Sequence, residues 1–292
     1  MDALTRAVKK IVPYDSKRYI ALSCLRHFPS FIRDVWCGYV AWPVTSRLRA
    51  HHVRPFYSEY SERLEALKGK YEGQRCFIVA TGPSLTIQDV EALKDEKTFG
   101  LNRLYQIYEK TDWRPDFYCY GDYKLYNSNP ISLSDKAKEN IFVCQYMTKL
   151  AQTSGKIVPV WNNWLDHWYN HASKQLRYTP DLLKGTYCCY TVANAAIDIA
   201  AYLGFREIYL LGADCNYTGS KQHAAGIEDV QEDWAMREQS QKNMMLGYAF
   251  KKKCMDEQGV RVYNCTRGGM LEVFPRKRLE EVLSAPRPGV GQ

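Results

Sequence analysis

The sequence predicts an α/β fold in which a doubly wound, mostly parallel sheet follows a helical N-terminal extension. From Gly73 onward, short apolar runs alternate with stretches of helical periodicity, which is typical of a parallel sheet covered by helices on both faces. The first apolar run ends at Gly82-Pro83 and leads directly into a helix-like stretch. With 292 residues and 46% hydrophobic composition, the chain is long enough to bury a full core.

Seven runs have the length and apolar character of strands. They are Arg75–Ala80, Thr98–Leu101, Asp116–Tyr120, Ile141–Cys144, Ile157–Val160, Glu207–Leu211 and Arg261–Tyr263. Five further stretches are expected to form helices: Thr86–Leu93, Arg103–Glu109, Ser132–Lys138, Tyr187–Leu203 and Asp229–Gln258. The alternation of the two patterns along the chain predicts a Rossmann-like sheet.

Charge and composition divide the chain into three parts. Residues 1–70 form a basic helical extension, residues 71–284 form the Rossmann-like domain, and residues 285–292 form a flexible tail. Of the 40 Lys and Arg residues, 13 lie in the extension, together with 6 of the 32 Asp and Glu residues, so the rest of the chain is nearly neutral. Apolar, aromatic and basic residues alternate in the extension, which suits an anionic membrane surface. Packing on the domain or on a second subunit of a homo-oligomer fits the same pattern equally well.

The cysteines and the chain start indicate a compartment. The ten cysteines include no Cys-x-x-Cys pair, which is typical of small core residues in a reducing environment. No secretory signal begins at Met1, and no apolar run reaches the roughly 18–20 residues that span a bilayer. We therefore expect a cytoplasmic protein, peripheral on the inner face of the plasma membrane, with no nucleic-acid partner.

The turn after the first strand is the first candidate site. Thr81, Gly82, Pro83 and Ser84 lie between a buried strand and a helix, where backbone N–H groups and the helix dipole favour phosphate. The chain contains neither a Walker A nor a Gly-x-Gly-x-x-Gly motif. An ordinary strand-to-helix turn, with a capping box formed by Thr86 and Asp89, explains the segment as well as a phosphate loop does.

Polar residues also follow later strands, where ligands bind in open α/β sheets. They are Asn102 and Arg103, Asp122, and Gly212 with Asp214. The loop after Asp214 adds Tyr217 and His223, which can supply acid and base groups near neutral pH. A solvated surface loop is the alternative for this segment. His167 and His171 lack a third ligand, so we expect no metal site there.

These residues resemble two related groups of enzymes over roughly residues 73–280. Three segments look like the bacterial family 42 sialyltransferases. They are the turn Gly82-Pro83-Ser84-Leu85, the segment Leu101-Asn102-Arg103 and the block from Gly185 to Gly226. They also look like the MptE-like family, named for an archaeal 6-hydroxymethylpterin diphosphokinase and including the motility accessory factors that glycosylate flagellin. The usual late motif of that family, Gly-x-Asp-Leu-x-Tyr with a downstream His-Ala, corresponds here to Gly212–Tyr217 and His223-Ala224.

The sialyltransferase resemblance implies a CMP-linked sugar donor, a glycan or lipid-linked acceptor and no required cofactor. His223 would be the base, and Tyr217 would assist the departure of CMP. Asp214 is the third residue that we expect at the catalytic site. The residues implied in nucleotide binding are Thr81, Gly82, Pro83, Ser84, Asn102, Arg103, Asp122, Thr186 and Gly212. We expect an inverting glycosyltransferase of surface polysaccharide synthesis.

The diphosphokinase resemblance implies a different reaction, the transfer of pyrophosphate from ATP to a pterin alcohol. Asp122 and Asp214 would then hold Mg²⁺, and Lys221 or Arg267 would steady the phosphates. A third class stays open, in which the domain is a non-catalytic scaffold that organises an assembly through the basic extension.

Overall fold

The computed structural model describes residue 32 and residues 36–54, 56–121, 135–145, 155–163, 176–217, 222–227 and 234–288. Asp122 and Lys221 therefore lie outside the described residues, as do His167, His171 and residues 1–31. None of the helices in the described ranges is both long enough and apolar enough to cross a bilayer.

The domain is built on a seven-stranded sheet in the order β5-β4-β3-β2-β1-β6-β7, and every neighbouring pair is parallel. The strands are β1 Arg75–Val79, β2 Thr98–Leu101, β3 Phe117–Tyr120, β4 Asn140–Gln145, β5 Ile157–Trp161, β6 Glu207–Leu211 and β7 Arg261–Asn264. All seven predicted strands are confirmed, and the Rossmann-like class is confirmed with a sheet that is wholly parallel.

Both faces of the sheet are buried, because side chains alternate along each strand. In β1, Cys76 and Ile78 belong to one core layer, whereas Phe77 and Val79 belong to the other. All four side chains are fully buried. This burial explains why the strands are near-continuous apolar runs in the sequence.

Six α-helices surround the sheet in the described ranges: α1 Trp42–Ala50, α2 Glu59–Ala66, α3 Ile87–Ala92, α4 Val192–Tyr202, α5 Trp234–Glu257 and α6 Leu279–Ser284. A π-helical turn, Cys37–Ala41, precedes α1, and 3₁₀ helices occupy Leu104–Ile107 and Leu182–Lys184. The predicted capping box is confirmed, since the Thr86 side chain accepts from the Asp89 amide and the Asp89 carboxylate accepts from the Thr86 amide.

Three predicted helices are wrong in type or extent. The stretch 103–109 forms only the 3₁₀ helix Leu104–Ile107, where the Tyr105 amide donates to the Tyr118 hydroxyl at 2.9 Å instead of continuing an α-helix. Residues 135–138 form no α-helix, because the Lys138 and Glu139 amides donate to carbonyls at the start of β3. The helix predicted at 187–203 is shorter than expected, since α4 begins only at Val192, after the N-cap Thr191. The helix predicted at 229–258 is present in its described part as α5.

The described part of the extension packs on the domain. Trp42 and Leu64 are buried, and Arg49 donates from Nη1 to the Leu183 carbonyl at 3.0 Å. Gly185 lies so close to Trp42 that a Cβ there would be 2.3 Å from the indole ring. Packing on the domain, one of the two alternatives for this region, therefore holds for residues 42–66. The domain boundary at residue 70 stays a prediction.

A buried ion pair joins the two helices on one face of the sheet. Lys251 on α5 contacts the Asp198 carboxylate on α4 at 2.5 Å, and the Thr186 hydroxyl donates to the other oxygen of Asp198 at 2.8 Å. All three residues are almost completely buried. Such a pair is costly to break, because either partner alone would be an uncompensated buried charge.

Lys136 is also buried but, unlike Lys251, its Nζ has no hydrogen-bond partner in the part of the chain that the structure describes. The ammonium lies over the rings of Tyr105, at 4.6 Å, and Tyr120, at 5.4 Å. Burial lowers the pKa of Lys136 to about 8, because the aromatic surroundings do not replace the lost hydration.

We predict that Lys136→Met raises the free energy of unfolding by about 1–2 kcal/mol, since it removes the cost of burying a charge. Below pH 8 the folded and unfolded states both hold the proton, so the variant has its full advantage there. Between about pH 8 and pH 10 the folded state loses the proton first, and the advantage shrinks as the pH rises. Urea unfolding of parent and variant across this range measures the effect.

Lys138→Met is the matched control, because Lys138 is exposed. Its unfolding free energy should stay within about 0.5 kcal/mol of the parent at every pH. An Lys136→Met protein that is less stable than the parent at pH 7 would show that the contacts with the tyrosine rings outweigh the burial cost.

Candidate functional site

The strand order reverses at β1, which pairs with β2 on one side and β6 on the other. The turns that follow β1 and β6 therefore lead to helices on opposite faces of the sheet, with Val90 of α3 in one core layer and Met255 of α5 in the other. A crevice at such a point of the carboxyl edge is the usual ligand site of open α/β folds. A cavity of about 130 Å³ lies at this point. It is lined by seven of the predicted site residues: Thr81, Gly82, Asn102, Gly212, Asp214, Tyr217 and His223.

The turn after β1 and the turn after β6, which both line the cavity, are in close contact. The Gly82 amide donates to the Gly212 carbonyl at 2.8 Å. A Cβ at Gly82 would lie 2.1 Å from Asp214 Oδ2 and 2.4 Å from Gly212 O, so only glycine fits. Gly212 has a φ of +63°, a backbone conformation that also favours glycine. Both glycines are thus required for the two turns to meet.

Asp214 holds the turn after β1 in place. Its Oδ2 accepts from the Ser84 hydroxyl at 2.8 Å and from the Ser84 amide at 3.4 Å. Burial raises the pKa of the Asp214 carboxyl, although the bonds from Ser84 act in the opposite direction. Two of the amides in the turn, Gly82 and Ser84, are therefore engaged within the protein. The turn offers fewer donors to a phosphate than the sequence suggests.

His223 is paired with the turn from the other side. Its Nδ1 lies 3.1 Å from the Thr81 hydroxyl, and the Ala224 amide donates to the Thr81 carbonyl at 2.8 Å. The two bonds orient the imidazole beside the cavity that it lines. Tyr217 lines the same cavity, and its amide donates to Gln241 Oε1 of α5 at 3.0 Å.

The other predicted site residues lie elsewhere. Pro83 is exposed, Ser84 is bonded to Asp214, and Arg103 precedes the 3₁₀ helix at Leu104. Thr186 is fully buried and donates to Asp198, so its described role is structural. Asp122 lies outside the described residues. Arg267, named for the kinase alternative, forms an ion pair with Asp89 on α3.

The structure adds residues that sequence reasoning missed. Thr191, Val192 and Ala193, at the start of α4, line the cavity, and the Thr191 side chain accepts from the Ala193 amide. The positive end of the α4 dipole therefore faces the cavity. Threonine just before the periodic apolar residues is a typical N-cap signal that could have located this start. Tyr248 on α5 also lines the cavity, and no sequence pattern marks it.

Backbone strain is concentrated around the same cavity. Asn102 and Cys215, which line it, have φ values of +44° and +51°. Cys189 and Tyr190, which immediately precede Thr191, have φ values of +44° and +71°. Non-glycine residues with positive φ are uncommon and cluster at functional sites. Asn102 also accepts from the Gly121 amide at 3.1 Å and so ties the ends of β2 and β3 together.

A wider cavity of about 330 Å³ lies at the carboxyl end of β7. Arg267, Arg276, Lys277 and Arg278 line it, with Glu280 and Glu281 as the acidic residues. The Thr266 hydroxyl, in its wall, accepts from the Ala213 amide in the wall of the first cavity at 2.9 Å. The two cavities therefore share a boundary. Among the described residues, no three His, Cys, Asp or Glu side chains form a group that could hold a metal ion.

The sialyltransferase resemblance implies that CMP binds in this cavity. On that expectation we predict that Gly82→Ala weakens CMP binding by about tenfold or more, because the methyl group displaces Asp214 and with it the turn after β1. Calorimetric titration of the folded variant measures this. Gly155→Ala is the control, since Gly155 has open space around its missing Cβ and no positive φ. Unchanged affinity in a folded Gly82→Ala protein would place the nucleotide elsewhere.

Comparison with known proteins agrees with the predicted resemblance. Among solved structures, the chain is similar to a MAf glycosyltransferase from Magnetospirillum magneticum AMB-1, with a TM-score of 0.45 and 16% sequence identity. The similarity covers 77% of this chain and 38% of the other, so this chain spans well under half of that protein. No curated protein matches. The family model described as 6-hydroxymethylpterin diphosphokinase MptE-like matches residues 51–220, more than half of the chain. The protein therefore belongs to the MptE-like family.

Proposed function

We propose that the protein is an inverting glycosyltransferase of the sialyltransferase-like kind. It transfers a sugar from a nucleotide-activated donor, CMP-linked, to a glycan or glycolipid acceptor in surface polysaccharide synthesis. The observation that carries the proposal is the pairing of His223 with Thr81, 3.1 Å apart, in a cavity that Tyr217 also lines. An oriented imidazole and a phenol at one strand-end crevice supply the base and the acid that such a transfer needs.

The reaction is a single displacement at the anomeric carbon of the donor sugar. An acceptor hydroxyl oxygen forms the new bond while the bond from the anomeric carbon to the phosphate oxygen breaks. His223 takes the proton of the acceptor hydroxyl, and Thr81 keeps its ring oriented. Tyr217 donates a hydrogen bond to the departing phosphate. Asp214 acts as a positioning residue, since its carboxylate holds the turn that carries Thr81 and Ser84.

The cavity size indicates which part of the donor enters it. Sites that enclose a drug-sized ligand measure roughly 300–1,000 Å³, whereas this cavity measures about 130 Å³. A space of this size fits the reacting phosphate group of a donor and not the whole nucleotide sugar. The start of α4 faces that group, so the helix dipole opposes the negative charge that builds up on the leaving phosphate.

Membership of the MptE-like family favours the second candidate, a diphosphokinase that uses ATP and Mg²⁺. That reaction would assign Asp214 to the metal. Asp214 Oδ2 already accepts from the hydroxyl and the amide of Ser84, and burial raises the pKa of its carboxyl. Because Oδ2 is already engaged by Ser84 within the protein, it is less open to a cation than a Mg²⁺ ligand has to be. We therefore place glycosyl transfer first and propose that it requires no metal.

We predict that His223→Ala lowers the turnover of glycosyl transfer by about 10²–10⁴-fold while the dissociation constant of CMP changes little, because the imidazole acts on the acceptor proton. Steady-state kinetics and calorimetry measure the two quantities. His51→Ala, which changes an exposed histidine, should leave both at the parent values. A fully active His223→Ala protein would remove His223 from the mechanism.

Metal dependence separates the two enzyme classes. We expect CMP to raise the melting temperature more than CDP, UDP, GDP or ATP, with or without Mg²⁺, and we expect transfer to continue in EDTA. We expect these outcomes because protein groups, and not a metal ion, stabilise the negative charge on the leaving phosphate in the proposed reaction. A protein stabilised only by ATP with Mg²⁺, and inactive in EDTA, would instead support the diphosphokinase.

A further inference from the structure

One helix of the extension buries one face against the domain and leaves apolar side chains exposed on the opposite face. In the helical stretch that comprises the π turn Cys37–Ala41 and α1, Trp42, Ser46 and Arg49 face the domain and are buried. Trp36, Val40 and Val44 recur at every fourth residue and are 61%, 42% and 56% exposed. Their exposure contrasts with the burial of Trp42 and Ser46, so these three side chains lie on the side of the helical stretch away from the domain. A helix on a protein surface normally has a polar outer face.

We call the three exposed apolar side chains of this helix, Trp36, Val40 and Val44, the outer apolar face. Two further apolar side chains, Val53 and Phe56 in the turn after α1, are also more than a third exposed. Single exposed apolar side chains are ordinary, whereas several on one element mark a surface that another molecule covers.

Charge distinguishes the kinds of molecule that could cover this face. No Asp or Glu occurs between residues 35 and 58, and Arg47 lies on the exposed side of α1. Residues 1–35, which precede it, contain seven Lys or Arg and three Asp or Glu. An apolar surface that contains tryptophan, lacks carboxylates and adjoins a basic segment is complementary to anionic lipid headgroups and the acyl chains beneath them.

We propose that the outer apolar face docks the protein on an anionic membrane, with Trp36, Val40 and Val44 in the interfacial layer. Its purpose rests on the proposed function, because a glycosyltransferase with a lipid-linked acceptor works at a membrane surface. The docking itself is independent of catalysis. The opposite face of the same helix holds the domain through Trp42 and Arg49, so the bound lipid surface and the catalytic domain lie on either side of one rigid element.

The test is co-sedimentation of the full chain with vesicles, measured without substrate. The parent protein should bind vesicles of equal parts phosphatidylcholine and phosphatidylglycerol and should not bind phosphatidylcholine alone. The triple variant Trp36→Ser, Val40→Ser, Val44→Ser should bind the anionic vesicles at least about tenfold more weakly, because it removes the apolar contact area. Its melting temperature should equal that of the parent, since the three side chains are exposed.

Leu246→Ser is the matched control, because it removes a large side chain that is 44% exposed on α5, and it should bind vesicles like the parent. Absence of vesicle binding by the parent, or equal binding by the triple variant, would overturn the proposal. So would a parent dimer that the triple variant converts to monomers, by mass photometry, with vesicle binding unchanged. Transfer to a soluble acceptor by the triple variant tests the proposed function separately from the docking.

Discussion

The contact between the turns after β1 and β6 is the constraint on which the rest of the site depends. Gly82 approaches Gly212 and Asp214 so closely that no side chain fits between them. The approach joins the two strand ends at the point where the sheet reverses its order. Thr81 is positioned by this contact, and His223 is positioned by Thr81. The candidate chemistry is thus a consequence of backbone packing.

The opposite wall of the crevice depends on a different interaction, the buried ion pair between Lys251 and Asp198. It fixes α4 against α5, and the Thr186 hydroxyl completes the partners of the carboxylate. Because α4 cannot rotate without breaking this pair, its N-terminus and Thr191 stay directed at the cavity. Polar interactions inside the core, and not only loops, therefore shape the site.

The helix α1 of the extension has two faces with different surroundings. One face of α1 is part of the packed domain, whereas the other has no counterpart within the described protein. The family assignment begins at residue 51 and thus includes the end of this region, beyond the span of the resemblance seen in the motifs.

Short apolar runs bounded by turn residues determined the seven strands, their parallel arrangement and the capping box at Thr86, because burial on both faces and local capping leave direct patterns in sequence. The position of a polar residue after such a run also predicted a place at the carboxyl edge of the sheet. This applies to Thr81, Gly82, Asn102, Asp214, Tyr217 and His223. Only the tertiary structure decided that Asp214 holds Ser84, that Thr186 is buried beside Asp198, and that Tyr248 and Thr191 reach the cavity. Those relations join residues far apart in the chain, and no local pattern encodes which polar group a long-range neighbour will satisfy.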